Sequence, residues 1–194
     1  MKYLNNPIFK YAIVGFVLFV LGAGFYFFWQ GEVKFPAANI STGIISAEGL
    51  TSGGNKTSYN LLKTYTNSQF GFSFKYPEGF NVGSFAESEE GTTVLVQKPN
   101  TKESFQIFIS AFDESGPITP ERIKKDIPDM AIEDPKEVII GAEKNIRALI
   151  FFSKNESLDR TREVWFVQKG NLYQVTAYAD LDVLIGSVLD TLNF

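Results

Sequence analysis

The chain has 194 residues, of which 18 are Lys or Arg and 22 are Asp or Glu, and it contains no cysteine and no histidine. The absence of both residue types excludes disulfides, thiolate and histidine metal sites, thiol nucleophiles and Ser-His-Asp catalysis. Five of the basic residues and two of the acidic ones precede position 65, so 13 basic and 20 acidic residues remain from there onward. An acidic domain lacks the clustered cations that phosphate contacts require, and nucleic acid is therefore not expected as a partner.

Residues 11–29 form an uncharged apolar segment, YAIVGFVLFVLGAGFYFFW. As a helix rising about 1.5 Å per residue, it would extend roughly 28 Å, which matches the hydrocarbon core of a bilayer. Lys2 and Lys10 precede it, and the positive-inside rule places such a flank in the cytoplasm. The sequence therefore predicts a single-pass anchor that binds membrane lipid through residues 11–29, with residues 1–10 cytoplasmic and residues 30–194 extracytoplasmic.

Two other interpretations compete for the same segment. A secretory signal peptide has a shorter apolar core, of about 7–15 residues, and a small-residue cleavage site. Here the small residues Gly22, Ala23 and Gly24 are followed by a run of aromatic residues, which suits a membrane span better. A type IV pilin subunit would carry a Gly-Phe-x-x-x-Glu start, which this chain lacks. The uncleaved anchor is therefore the preferred interpretation.

Residues 30–64 are rich in Gly, Ser, Thr and Asn, as in the run TSGGNKTS at 51–58. Such a composition is typical of a flexible linker. The apolar residues scattered through the segment are too few to build a core. The sequence thus predicts a tether of residues 30–64 between the anchor and a folded domain of residues 65–194.

The first part of this domain has a strand pattern. Aromatic residues alternate with small or polar ones at Phe70, Phe72, Phe74 and Tyr76. This period of two predicts a half-buried strand, which ends at the turn begun by Pro77. Further strands are predicted at 80–85, 92–97 and 104–112. The last is apolar on both faces, which indicates a central position in the sheet.

A short helix and four more strands follow. Thr119 and Pro120 are typical of an N-cap and a first helical position, Ile123 and Ile127 share one face of the helix, and Pro128 ends it. Strands are then predicted at 137–141, 146–153, 162–169 and 172–178. Gly170-Asn171, between the last two strands, is predicted to form a two-residue hairpin turn.

The last element is an amphipathic helix that Asp180 is predicted to cap. One continuous apolar stripe is formed by Leu181, Leu184, Ile185, Val188, Leu189 and Leu192. A helix with such a stripe must cover a sheet. The predicted fold class is therefore α+β: an antiparallel β-sheet covered by helices and preceded by one transmembrane helix.

Three segments resemble the PsbP-like family, whose fold is shared with the Mog-type proteins. They are the entry strand YTNSQFGFSFKYPEGF, the closing hairpin VWFVQKGNLYQVTAYA and the terminal VLDTLNF, and the resemblance covers roughly residues 65–194. It implies the α+β fold, and members of the superfamily include anchored or secreted bacterial proteins. The photosynthetic members bind through a basic surface and use histidines at metal sites. This chain has neither, so the resemblance implies no site residues here.

A Ser–Lys pair is the candidate for nucleophilic chemistry. Ser73 and Lys75 lie two residues apart on a predicted strand, and hence on one face, where lysine would serve as the base for a serine nucleophile. The same spacing describes the solvent-exposed face of a strand, and this interpretation is preferred. A further set of residues would line a ligand cleft or, as is commoner on strands, pack in the core: Trp165, Tyr173 and Tyr178.

Charged side chains supply two further candidates. Anion binding is a hypothesis for three arginines: Arg147, Arg160 and Arg162. Acidic neighbours of the last two are expected to neutralise them: Glu156, Asp159 and Glu163. Cation-binding carboxylates cluster at Glu87, Glu89 and Glu90, at Asp113 and Glu114, and at Asp126, Asp129, Glu133 and Asp134. No EF-hand spacing or phosphate-loop motif occurs, so these carboxylates are interpreted as solvated loops.

No catalytic, cofactor-binding or metal-binding residue is therefore predicted. The sequence favours a membrane-anchored extracytoplasmic binding or assembly module that is not an enzyme, with a protein or another envelope component as partner. The alternative is a cell-envelope hydrolase that uses a Ser–Lys or carboxylate site. A buried, touching pair of Ser73 and Lys75 beside a cleft would favour that alternative.

Overall fold

A computed structural model describes residues 59–87, 91–114, 116–155 and 159–194. The predicted anchor, residues 11–29, and the predicted linker as far as residue 58 lie outside the described residues. Within the described ranges, no helix is long and apolar enough to cross a membrane. The predicted bounds of the cytoplasmic segment and the anchor, and the predicted start of the linker, therefore stay predictions.

The described residues form nine strands, two α-helices and one 3-10 turn. The strands are β1 (Lys63–Asn67), β2 (Phe72–Tyr76), β3 (Asn81–Glu87), β4 (Gly91–Gln97), β5 (Ser104–Ala111), β6 (Glu133–Ile140), β7 (Ile146–Asn155), β8 (Asp159–Gln168) and β9 (Asn171–Tyr178). The helices are α1 (Pro120–Asp126) and α2 (Asp182–Leu189), and the 3-10 turn Ala179–Leu181 leads directly into α2.

Seven of these strands form one antiparallel sheet in the order β3-β4-β5-β9-β8-β7-β6, and β1 and β2 form a separate antiparallel hairpin. The predicted α+β architecture, a mostly antiparallel sheet with few helices, is confirmed for the described residues. β5 lies inside the sheet, between β4 and β9, as its apolar composition predicted. The two outer strands of the sheet are β3 and β6.

One face of the sheet, here the apolar face, is aliphatic across five strands. In register lie Val94, Ile107, Val175, Val164 and Ile150. Helix α2 covers this face because its own apolar side chains are buried against it, namely Leu184, Ile185, Val188 and Leu189. Fully burying a side chain of this size contributes about 1.5–3 kcal/mol relative to leaving it exposed. The main core of the domain therefore lies between α2 and the sheet.

The opposite face, here the polar face, has a different composition. The neighbouring row across the same strands is Leu95, Gln106, Thr176, Glu163 and Phe151. α1 and its flanking loops cover the β7–β8 end of this face, where Ile123 and Ile127 belong to a second apolar cluster with Leu149, Phe151 and Trp165. The burial of Ile123 and Ile127 confirms the predicted apolar side of this helix.

The C-terminal segment attaches β2 to the rest of the core. Ser73 and Asn193 exchange two backbone hydrogen bonds of 2.8 and 2.9 Å, and the Lys75 amide donates to the Thr191 hydroxyl at 2.8 Å. The Phe194 ring lies 5.8 Å from the ring of Phe72. These contacts place the β1–β2 hairpin over the apolar face, beside α2.

The structured part of the domain begins earlier than residue 65. Tyr59 and Leu61 pack against the main core, and β1 begins at Lys63. The sequence analysis assigned these residues to the linker and did not predict β1. The reason is that β1 reads KTYTN and exposes three of its five residues, so it carries almost no hydrophobic period.

The closing hairpin differs by one residue from its prediction. Gln168 pairs with Asn171, so the two turn residues are Lys169 and Gly170 rather than Gly170 and Asn171. Both have positive φ angles, of 49° and 73°, as a type I′ turn requires. Asn171 is instead the first residue of β9. The prediction placed the turn at Gly170 and Asn171, the pair richer in turn-forming residues. In the structure, Lys169 rather than Asn171 shares the left-handed conformation with Gly170.

The helix caps give one confirmation and one correction. The Thr119 hydroxyl accepts a hydrogen bond from the Arg122 amide, which confirms the predicted N-cap of α1. Asp180 does not cap α2, since it lies inside the 3-10 turn and Leu181 is the residue that precedes the helix. The residues where the sequence pattern predicted the start of the α-helix form this 3-10 turn instead.

Strand lengths also differ from the predictions. β6 spans Glu133–Ile140 rather than 137–141, because its polar first half pairs with β7 although it carries no hydrophobic signal. β7 and β8 likewise continue to Asn155 and start at Asp159, through charged residues that pair across the strands. Cross-strand hydrogen bonding thus extends strands beyond their apolar positions.

Candidate functional site

Ser73 and Lys75 do not form a buried, touching pair. Ser73 is half-buried and Lys75 is exposed, and no hydrogen bond joins their side chains among the described residues. Their backbone groups instead bind the C-terminal segment at Asn193 and Thr191. The solvent-face interpretation of this pair therefore fits the structure.

The three candidate aromatic residues do not line one cleft. Phe166 and Trp165 are adjacent on β8, and they pair with Tyr173 and Gln174 on β9, so Trp165 and Tyr173 point to opposite faces of the sheet. Tyr173 stacks on Phe166 with ring centroids 4.9 Å apart, and burial raises the pKa of its hydroxyl to about 12. Tyr178 is half-buried against the main core. All three serve packing.

Each candidate arginine has an acidic partner. Arg147 binds both carboxylate oxygens of Glu137 at 2.9 Å, and this ion pair lowers the pKa of that exposed carboxyl. Arg162 binds Asp182 through two hydrogen bonds of 2.5 and 2.6 Å. The expectation that Glu163 neutralises its neighbours is wrong, because Glu163 points to the polar face. Glu156 lies outside the described residues, as does the side chain of Asp159.

Arg160 and Arg162 both contact one aromatic ring. Their guanidinium carbons lie 3.7 and 3.4 Å from the centroid of the Phe152 ring. Arg160 also contacts Glu133 at 3.4 Å. These cation–π and ionic contacts account for both arginines without an added anion.

The candidate carboxylates are mostly tied to cations. Glu114 and Asp126 both bind Arg122, while Glu133 and Asp134 contact Arg160. Glu89 and Glu90 lie outside the described residues. Across the described part of the chain, no group of three or more carboxylates is placed to hold a metal ion.

A buried carboxyl that the sequence analysis named only as a neighbour of the arginines lies on the polar face. Glu163 is 5% exposed and accepts hydrogen bonds from the hydroxyls of Thr161 and Thr176, both at 2.8 Å, and from the Trp165 indole at 3.2 Å. Burial raises its pKa to about 7, although these three bonds oppose the shift. We call these four residues the Glu163 network. The sequence signal for this network was the acidic Glu163, two positions from both Thr161 and Trp165. That spacing places the three side chains on one face of the strand, the face that a helix covers.

The Glu163 network has a limited chemical repertoire. Its two hydroxyls already donate to the carboxyl, so neither is paired with a separate base as a nucleophile requires. Gln106 is the next polar residue in the same row, 2% exposed, and its side-chain oxygen has no hydrogen-bond partner. The arrangement can take up or release a proton near neutral pH, and it can tie β8 to β9.

A small cleft lies near the C-terminus. Its volume is about 80 Å³, and its lining includes Glu143, Gln168, Lys169 and Asn193. Ligand pockets usually enclose about 300–1,000 Å³. The cleft has room for a few water molecules rather than for a substrate.

The β6 edge of the sheet is protected against strand pairing. A β-bulge shifts its register between Glu133 and Lys136. Asp134 adopts a positive φ of 51°, and Pro135 has no amide hydrogen to donate. Lys136 and Glu137 are exposed charges. Bulges, prolines and edge charges are the devices that prevent a second chain from adding to a sheet.

The β3 edge has neither a bulge nor a proline, and it carries a single charge. β3 pairs with β4 residue by residue from Asn81 to Glu87 without a bulge, and Glu87, its last residue, is its one charged residue. Ser84 and Ala86 are small and exposed, and Phe85 is half-buried. Among the described residues, no strand pairs with the outer side of β3. A regular edge of this kind presents backbone N–H and C=O groups to another strand.

No protein-family model matches the chain, and no curated protein matches it. Among solved structures, the chain is similar to the solution structure of cyanobacterial PsbP (CyanoP) from Synechocystis sp. PCC 6803, with 13% sequence identity and a TM-score of 0.48. The alignment covers 74% of this chain and 98% of that chain. At this identity and score, the likeness transfers no activity and no site residue.

Proposed function

We propose that this chain is a non-enzymatic binding or assembly module of the cell envelope. Residues 11–29 anchor it in the membrane with residues 1–10 in the cytoplasm, and the domain outside binds a protein partner. The observation that carries the proposal is the contrast between the regular β3 edge and the protected β6 edge. The partner is expected to add an extended strand to β3.

Strand addition fits the chemistry of the β3 edge. Main-chain hydrogen bonds give affinity to such complexes, and alternate side chains give specificity. Ser84 and Ala86 are small enough to let a second backbone approach on one face, while Phe85 offers an aromatic contact on the other. Edge strands that do not pair are usually protected by charged side chains. β3 instead carries a single charge, at its last residue, Glu87.

The same proposal explains why the catalytic candidates are dispersed. Ser73 and Lys75 are engaged through their backbones, and the Glu163 network holds its own hydroxyls. The acidic clusters bind neighbouring arginines and lysines. The contacts of all three groups of residues are those of a scaffold that presents a binding surface.

Site-specific photo-crosslinking tests the binding edge. Phe85, which is half-buried, is replaced by benzoylphenylalanine, a larger aromatic derivative of phenylalanine, in the full chain expressed in its native membrane. Irradiation is expected to give one discrete cross-linked product. The variant Ser84→Lys with Ala86→Lys, here the double-lysine variant, should lose that product because added edge charges oppose strand pairing. Ile139→Lys adds one lysine at an exposed position of the β6 edge and should keep the product. A product that survives the double-lysine change would contradict the proposal.

Protease accessibility tests the topology. Protease added outside intact cells or spheroplasts should remove a C-terminal epitope tag, since the domain is proposed to lie outside the cytoplasm. A cytoplasmic control protein should remain whole in the same sample. Protection of the tag until the membrane is permeabilised would refute the orientation while leaving the edge proposal to its own test.

A further inference from the structure

We infer that the strand added to the β3 edge is β3 of a second copy of this chain. The inference rests on the proposed function, because it names the partner for the same edge. Two identical strands can pair antiparallel about a two-fold axis, which places the central residue opposite itself. β3 spans Asn81–Glu87, and Ser84 is its central residue. An axis at Ser84 therefore pairs the whole strand, whereas any other centre leaves residues at one end unpaired.

The pairs produced by this axis are complementary in size and chemistry. Ser84 lies opposite Ser84 of the second copy, and Val82 lies opposite Ala86, so small side chains meet at the centre. Gly83 lies opposite Phe85, and an aromatic ring across from an edge glycine covers its bare backbone. Asn81 lies opposite Glu87, where an amide can donate to a carboxylate. No pair brings two like charges together.

The same axis keeps the two faces of the sheet in order. Ser84 pairs with Val94 within one chain, so Val82, Ser84 and Ala86 all lie on the apolar face. Their partners in the second copy lie on that face too. Both copies of α2 then cover the same side of one continuous sheet, and neither core has to open.

The proposed anchoring favours such a pair. Two copies held in one membrane share a surface, and their effective concentration for each other exceeds that of free chains. A two-fold axis perpendicular to the membrane would let both anchors insert in the same direction. Self-pairing also occupies the edge that is otherwise open to non-specific aggregation.

A single introduced cysteine tests the register. The chain contains no cysteine, so Ser84→Cys carries one thiol. In the inferred register, the two Cβ atoms would lie about 4.5–5.5 Å apart, near the range that a disulfide bridges. Mild oxidation of the full chain in membranes is expected to convert most of it to a dimer that a reductant reverses.

Ala86→Cys is the matched control, since Ala86 is also exposed and shares the strand and the face. Its counterpart would lie four positions away along the strand, about 14 Å at about 3.4 Å per residue. It should form little disulfide. Co-expression of Val82→Cys chains with Ala86→Cys chains should restore a mixed dimer. The double-lysine variant replaces Ser84 and Ala86, the same positions that carry the cysteines, and cannot be combined with this test. Ile139→Cys on β6 therefore serves as the second negative control.

The outcomes separate the inference from the proposed function. A dimer from Ser84→Cys but not from Ala86→Cys supports self-pairing. Equal dimerisation of the two variants, or none, overturns it. If benzoylphenylalanine at position 85 captures a different protein while Ser84→Cys stays monomeric, the binding edge stands and self-pairing is wrong. If position 85 captures nothing, both fail.

Discussion

The two ends of the seven-stranded sheet are finished in different ways. At the β6 end, a bulge, Pro135 and exposed charges interrupt the edge, and ion pairs such as Arg147–Glu137 join it to its neighbour. At the β3 end, a regular strand carries small exposed residues at Ser84 and Ala86. An open edge promotes aggregation. The contrast therefore teaches that β3 is suited to pairing, while β6 is suited to remaining the last strand.

The comparison is meaningful only if both edges belong to one cooperative unit, and Ile185→Asp would test that. Ile185 lies on the buried side of α2 and is 2% exposed, and burying an unpaired charge costs several kcal/mol against a total stability of about 5–15 kcal/mol. We expect the fold to be lost at both ends of the sheet. Val183→Asp on the exposed side of the same helix should change stability by less than about 1 kcal/mol. Amide NMR dispersion of the full chain in a mild detergent reports both, and persistence of one half would break the comparison.

The Glu163 network lies in the half of the sheet that ends in β6. It should make the free energy of unfolding depend on pH. The pKa of Glu163 in the folded state, about 7, lies above the ordinary value of 4.5 for a glutamate, so the folded state holds the proton more tightly than the unfolded state. Its stabilising effect is therefore complete below about pH 4.5 and is lost as the pH rises through 7. The two values differ by roughly 2.5 units, which corresponds to about 3 kcal/mol.

Chemical denaturation of the full chain between pH 5 and 8.5 measures this loss. Glu163→Gln cannot ionise and should flatten the profile. Glu137→Gln is the control, because Arg147 lowers the pKa of Glu137 and leaves it ionised throughout that range. A wild-type profile as flat as that of Glu163→Gln would contradict the assignment.

The half that ends in β3 depends on a close approach at Gly91, the first residue of β4. A Cβ there would clash with the carbonyl oxygen of Ile109 and lie 2.8 Å from the Phe108 ring. Gly91→Ala should therefore cost roughly 1–3 kcal/mol and loosen β3 before it loosens β6. Gly186→Ala in α2, where a Cβ meets nothing within 4 Å, should be neutral or stabilising by up to about 1 kcal/mol. Residue-resolved hydrogen exchange distinguishes local loosening from uniform destabilisation, which would show that the β3 end has no separate weakness.

The sequence predicted the elements whose periodicity is strong. The alternation of Phe72 and Phe74 gave β2, and the apolar stripe through Ile185 and Val188 gave α2, because burial on one face imposes that spacing. β1 was missed since polar strands carry no such signal. The turn at Lys169 was displaced by one residue, because lysine takes a backbone conformation that asparagine more often adopts.

The features that matter for the proposed function depend on strand order, which local sequence does not contain. A proline within a strand, such as Pro135 in β6, is typical of an edge position, but nothing in the residues of β3 indicates that none of the described strands pairs with its outer side. The partners of Glu163 likewise meet through the pairing of β8 with β9. Thr176 is distant in sequence and reaches the carboxyl only after that register forms.

Hydrogen exchange at the two edges of the full chain in its native membrane tests the central claim most directly. If a strand adds to β3, the outward-facing amides of residues 81–87, about every second one, should be protected in the wild type and should exchange much faster in the double-lysine variant, whereas the amides that bind β4 serve as internal references. Residues 133–140 of β6 should exchange alike in both. The account would be contradicted if residues 81–87 exchanged equally fast in the two proteins, or if the lysines changed exchange at β6 instead.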